Sequence, residues 1–158
     1  MCPYCGRHMK YRDSVRRHEK KAGRARQDYM ISRYRCAACN CILRLIPDFL
    51  APYKHYNVDI IMGVIEGKIT SDILEYEDYP CENTMSRWVQ WFEQNMPFIA
   101  EYLLICRAKL IAYGLVILYE LASGLEEIRA TCARWLSVIL RIIYGTGAVL
   151  EPIRKTSS

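Results

Sequence analysis

Two cysteine pairs, Cys2-Pro3-Tyr4-Cys5 and Cys36-Ala37-Ala38-Cys39, constrain this chain more than any other feature. Each pair sets two thiolates in a tight turn, and two such turns supply the four soft ligands of a closed tetrahedral site. Gly6 and Asn40 follow the second cysteine of each pair, and both residue types tolerate the left-handed backbone that such a turn demands. The pattern predicts a structural Zn2+ held by Cys2, Cys5, Cys36 and Cys39. Four thiolates leave no open coordination position, so this metal would hold a fold rather than activate water. Cys41 is a spare thiol, two residues past Cys39, and the alternative fourth ligand. A redox dithiol, the competing reading, requires one Cys-x-x-Cys beside a parallel βαβ unit, which is not readable here.

Thirty residues separate Cys5 from Cys36, more than the roughly 15 to 20 of the commonest spacing. The excess reads as a lengthened hairpin. Its strands are expected at His8 to Arg12 and Tyr29 to Arg35, with a third at Ile42 to Leu45. Between the first two runs a basic arm carrying Arg16, Arg17, Lys20, Lys21, Arg24 and Arg26, expected as an exposed hairpin tip. Residues 1–50 hold 12 Lys/Arg against 4 Asp/Glu, whereas residues 51–158 hold 10 against 13. Clustered cations gain by displacing counterions from phosphates, so the basic head implies a polyanionic partner. A merely solvated basic face is the alternative. His8, His18 and His55 read as isolated surface histidines.

Eight cysteines without a charged, apolar and small-residue leader pattern are expected in a reducing, cytoplasmic compartment. The most apolar stretch, Leu110 to Ala122, is interrupted by Gly114 and Glu120. It falls short of the roughly 20 residues that span a bilayer and reads as a buried helix.

After a junction with Pro47 and Pro52, Asn57 is placed to cap a helix over Val58 to Glu66 that ends at Gly67. A short helix is expected at Thr70 to Tyr76. In the next segment Met85, Trp88, Val89 and Phe92 share one helical face, while Asn83, Ser86, Arg87 and Gln90 form the opposite stripe with Thr84 beside it. These polar groups can donate or accept at base edges, and a recognition helix reads DNA mainly from its N-terminal residues.

Cys-Pro-Tyr-Cys-Gly at 2–6, Arg33 to Cys36, Leu45 to Tyr53 and Thr84 to Phe92 together resemble the bacterial family of the domain of unknown function 6431. The resemblance covers about residues 1–95, and its most specific part is the junction Ile46-Pro47-Asp48-Phe49-Leu50-Ala51-Pro52-Tyr53. It implies a zinc ribbon and helix-turn-helix like the N-terminal part of insertion-sequence transposases, hence DNA binding related to mobile elements. Cys81 stands at the helix N-cap where the family pattern leads one to expect Ser, and a thiol caps weakly.

Beyond Pro97, expected as a first helical residue, helices are expected at Phe98 to Tyr113, Gly114 to Ala122 and Glu126 to Tyr144. Trp135, Leu136, Ile139, Leu140 and Ile143 make an apolar stripe that needs a partner surface, either within the chain or across a homodimer.

The expected class is thus mainly α with a small β zinc ribbon. A zinc ribbon with a basic hairpin spans 1–50, a helix-turn-helix 51–96, C-terminal helices 97–150 and a disordered tail 151–158. The expected function is non-catalytic, zinc-dependent binding of double-stranded DNA, as a regulator or as an accessory to a separate transposase at the bacterial nucleoid. The alternative is a protein- or RNA-binding adaptor. A nuclease is disfavoured, because Asp48, Asp59, Asp72 and Asp78 fall in junction, cap and loop positions and no Asp follows residue 95.

Overall fold

From Met9 the chain runs out and back as one long hairpin, and this hairpin organises the N-terminal third. A computed structural model describes residues 1–77, 79–112 and 124–153. Strands β1 (Met9–Lys20), β2 (Arg26–Cys36) and β3 (Ile42–Arg44) form an antiparallel sheet in the order β1-β2-β3. Pairing extends from Met9 opposite Cys36 to Lys20 opposite Arg26. The basic arm is therefore mostly strand, not loop; only a single turn through Ala22–Arg24 caps it. Tertiary contacts account for the added length. Along β1, the Lys20 N–H donates to the His55 carbonyl at 2.7 Å. Across the ladder, the Tyr29 hydroxyl donates to the buried Glu19 carboxylate at 3.0 Å.

A bulge at Arg12 shifts the register between Tyr11 and Asp13. The extra residue places Asp13 opposite Arg33, whose Nε donates to Oδ1 at 2.6 Å and whose Nη2 pairs with Oδ2. Such bidentate pairs are the stronger kind of ion pair.

Helices α1 (Val58–Ile65), α2 (Glu82–Ala112), α3 (Leu125–Thr131) and α4 (Trp135–Gly145) make the rest of the described fold. With the sheet, they make the molecule mixed α and β. α1 starts and stops as its sequence requires. Asn57 Oδ1 accepts the Asp59 N–H at 2.8 Å. At the other end Gly67 takes φ 69° while its N–H reaches Val64 O, and the Lys68 N–H reaches Gly63 O. That pair of bonds is a Schellman motif, which satisfies the last carbonyls of a helix. Between α1 and α2 the expected short helix is a single 3-10 turn at Leu74–Tyr76.

Pro97 does not begin a helix: α2 passes through it. A proline inside a helix costs about 3 kcal/mol. The apolar stripe stays in phase across it, with Met85, Trp88 and Phe92 before and Ile99 and Leu103 after, all buried. Burial of each such side chain returns about 1.5–3 kcal/mol.

The expected helix from Glu126 to Tyr144 is instead two, broken where Cys132 turns extended. Nothing in Thr131-Cys132-Ala133-Arg134 breaks a helix outright; contacts decide. Arg134 pairs with Asp59 at 2.9 Å and Asp48 at 3.6 Å, and the Trp135 indole N–H donates to Glu66 at 2.6 Å. Trp135, Leu136, Ile139, Leu140 and Ile143 are all buried within this chain, among core residues of α1 and α2. That stripe packs within the chain.

Of the expected disordered tail, Glu151 is pinned by Asn95, which accepts its N–H at 2.9 Å and donates to its carbonyl at 3.0 Å. Residues 154–158 and the whole of the expected helix Gly114 to Ala122 lie outside the described residues.

Candidate metal centre and nucleic-acid interface

The two cysteine turns fold alike. In the first, the Gly6 N–H donates to Cys2 O and the Cys2 N–H to Arg7 O; in the second, the Asn40 N–H donates to Cys36 O and the Cys36 N–H to Cys41 O. Gly6 at φ 69° and Asn40 at φ 58° take the left-handed conformation that closes each turn. The hairpin then brings the turns together, because Cys36 ends β2 opposite the start of β1.

The sulfurs of Cys2, Cys5, Cys36 and Cys39 all lie within 4.8 Å of one another. Cys2 to Cys39 and Cys5 to Cys36 are 3.5 Å, and Cys5 to Cys39 is 3.7 Å. A tetrahedron with Zn–S bonds of about 2.3 Å has edges of about 3.8 Å. The donor set and spacing are thus compatible with a zinc site. Cys41 sits beside one corner, its sulfur 3.2 Å from that of Cys2.

The thiols titrate apart. Burial opposes ionisation of Cys2, but N–H groups of Cys5 and Tyr4 and the thiols of Cys41 and Cys39 bring it down to about 6. The N–H groups of Cys39 and Ala38 lower Cys36. Cys5 accepts from the Arg7 N–H, yet the crowding thiol of Cys36, burial and the thiols of Cys2 and Cys39 push it to about 12. Cys39, favoured by the Cys41 N–H but opposed by burial and its neighbours, is raised to about 11. Four thiolates so close repel one another unless a cation sits among them.

The basic arm and α2 meet at the far end of the hairpin. The Tyr79 hydroxyl donates to the Lys20 carbonyl. Tyr56 stacks on Tyr79 with ring centres 5.6 Å apart and meets Trp88 edge-on at 4.7 Å, while Lys20 Nζ lies 5.3 Å from the Tyr56 ring centre. Lys20, Lys21, Arg24, Arg26 and Tyr79 surround a depression of about 530 Å3. Beside it begins α2, where Asn83, Ser86, Arg87 and Gln90 are exposed. Thr84 is partly buried, its hydroxyl 3.1 Å from the Cys81 sulfur. That hydroxyl, the Thr84 N–H and the charge of Lys20 lower the Cys81 thiol.

The six basic residues are not equivalent. Arg24 and Arg26 are exposed and have no carboxylate partner among the described residues. Lys21 lies 2.8 Å from Glu19, and Arg16 lies 3.8 Å from Asp28. Arg17 is half-buried against the junction. Its Nη2 donates to the carbonyls of Ala51 and Lys54, clamping the junction to the sheet.

Sequence reasoning missed Tyr56 and Tyr79, which join hairpin to helix, and misjudged two histidines. His18 and His55 are not isolated; their rings stack 4.2 Å apart, nearly parallel. No local signal marks a pair 37 residues apart.

A family model described as a domain of unknown function (DUF6431) matches residues 2–88. The match takes in all four cysteines, the sheet, α1 and the first residues of α2 through Trp88. No curated protein and no solved structure matches the chain.

Proposed function

Since the chain belongs to the DUF6431 family, whose matched region contains both the cysteine cluster and the start of α2, we propose that it is a non-catalytic, zinc-dependent protein that binds double-stranded DNA. The observation that carries this reading is the contact of Tyr79 with Lys20, which sets the cationic end of the hairpin beside the N-terminal turn of α2. Phosphates and base edges lie side by side on a duplex, and a reader needs both kinds of group on one surface.

In this reading Zn2+ is bound by Cys2, Cys5, Cys36 and Cys39, and its role is to hold the root of the hairpin. α1, the 3-10 turn and α2 serve as a helix-turn-helix-like unit. Asn83, Ser86, Arg87 and Gln90 enter the major groove, where Asn and Gln suit adenine and Arg suits guanine. Arg24, Arg26, Lys20 and Lys21 meet the phosphates. A protein of this kind acts as a regulator or as an accessory to a separate transposase. Its place of action is then the bacterial nucleoid, and no helix among the described residues is long and apolar enough to cross a membrane.

Selection on random duplexes with the zinc-loaded chain tests the proposal. Enrichment of one motif with strongly salt-dependent affinity is the expected result. No duplex binding at low salt would end it.

A further inference from the structure

A second cleft, of about 800 Å3, opens between the helix-facing side of the sheet, the junction loop and the end of α4. Its size is within the range of small-molecule sites, about 300–1,000 Å3. The lining includes Arg16, Arg17, Arg33 and Arg44 and neither Asp nor Glu. Arg33 is neutralised by Asp13, which faces it across the ladder, and Arg16 lies 3.8 Å from Asp28. Arg17 and Arg44 are not neutralised. Burial, then the charge of Arg44, lowers the proton affinity of Arg17, and Arg17 Nε is buried without a partner. Arg44 is exposed and forms no ion pair among the described residues. Two guanidinium groups lining one cleft without a carboxylate partner leave a field that an anion would relieve.

The lining is also aromatic. Tyr53 and Tyr144 have ring centres 5.7 Å apart. Tyr53 sits at φ 60°, a conformation that costs a bulky residue of order 1–3 kcal/mol. Burial does not repay it, because the side chain is 72% exposed. Arg17 fixes the strained turn by binding the carbonyls of Ala51 and Lys54 on either side of Tyr53. One arginine thus lines the cleft and presents the ring.

We propose that this cleft binds a nucleoside monophosphate unit, its phosphate between Arg17 and Arg44 and its base against Tyr53 and Tyr144. Guanidinium groups match phosphate oxygens in geometry and charge, and a tyrosine face accepts any base. The site is independent of the duplex surface: it lies toward the cysteine end of the sheet, whereas the cationic turn lies at the other. The same chemistry is offered by a free nucleotide and by the 5′-phosphorylated end of a strand.

Titration of the zinc-loaded full chain with dAMP, inorganic phosphate and a single-stranded oligonucleotide with or without a 5′-phosphate, followed by calorimetry and tyrosine fluorescence, tests the site. The expected result is one dAMP per chain, bound at least tenfold tighter than inorganic phosphate. Arg44→Gln should weaken it tenfold or more and Tyr53→Ala several-fold, with zinc content and helical signal retained. Arg141→Gln, which removes an equal charge from the exposed side of α4, should leave dAMP binding unchanged. Oligonucleotide binding that needs the 5′-phosphate assigns the strand end; binding confined to dAMP assigns the free nucleotide. No saturable binding of dAMP at millimolar concentration, or equal affinity in Arg44→Gln, overturns the site, and phosphate binding as tightly as dAMP overturns the role of the rings. Duplex affinity measured on the same preparation is a separate readout, so either proposal can fail without the other.

Discussion

The Tyr79 hydroxyl donates to the carbonyl of Lys20, tying the tip of a hairpin to the turn that starts a helix 59 residues further along the chain. Removing that hydroxyl keeps the ring and its stacking on Tyr56. Tyr79→Phe should therefore cost only about 0.5–1.5 kcal/mol in urea unfolding. Duplex affinity should fall by more than the stability loss explains, since two contact surfaces lose their fixed spacing. Unchanged affinity would show that the hairpin and α2 do not act together.

Zinc analysis separates the cysteines. Cys36→Ala and Cys39→Ala should lose the metal and the hairpin, while Cys41→Ala should keep one zinc per chain. A chelator should likewise abolish the sheet signal in circular dichroism and leave the helices largely formed, because a small ribbon draws much of its folding free energy from its metal. A hairpin that stays folded without metal contradicts this.

Charge changes should divide by position. Arg24→Gln and Arg26→Gln should each weaken binding to all duplexes alike and reduce the salt slope by about one ion. Arg87→Ala should instead cost about 1–3 kcal/mol on the preferred sequence and little on others. Competition titrations at several salt concentrations distinguish the two patterns.

Arg17→Gln should behave differently from either. Its guanidinium serves two carbonyls of the junction, so the main effect expected is a loss of about 1–3 kcal/mol in folding stability. Thermal unfolding of the variant, set beside that of Arg24→Gln, reads this directly.

Acid should loosen the junction through His18. Burial, the facing His55 ring and the cations Arg26 and Lys20 lower its pKa, with Asp28 opposing. The unfolded chain then binds more protons than the folded one below an ordinary histidine pKa of about 6.5. Stability should decline as pH falls from about 7 through the depressed folded value, and His18→Gln should flatten that decline in denaturation curves.

The cysteine turns, the Asn57 cap and the Gly67 stop were legible because each is decided by neighbours a few residues apart. The inward face Met85, Trp88 and Phe92 was legible for the same reason. What escaped depends on distant partners. Pro97 reads locally as a start, yet the stripe continuing to Ile99 and Leu103 carries the helix past it. The break before Trp135 follows from Asp59, Asp48 and Glu66, more than 65 residues earlier. Arg17 reads as one cation among six, and only the fold shows that Ala51 and Lys54 claim it.

Because α2 runs unbroken from Glu82 to Ala112, it is a rod of roughly 45 Å at 1.5 Å per residue. Its first two turns carry the polar stripe, and along one face it packs against α1 and α4. A rod packed along one face moves as a unit. A tilt of about 5° displaces one end of a rod of that length relative to the other by about 4 Å. A pull at the stripe therefore reaches the far end through the buried row Met85, Trp88, Phe92, Ile99 and Leu103, whose contacts must shift with it.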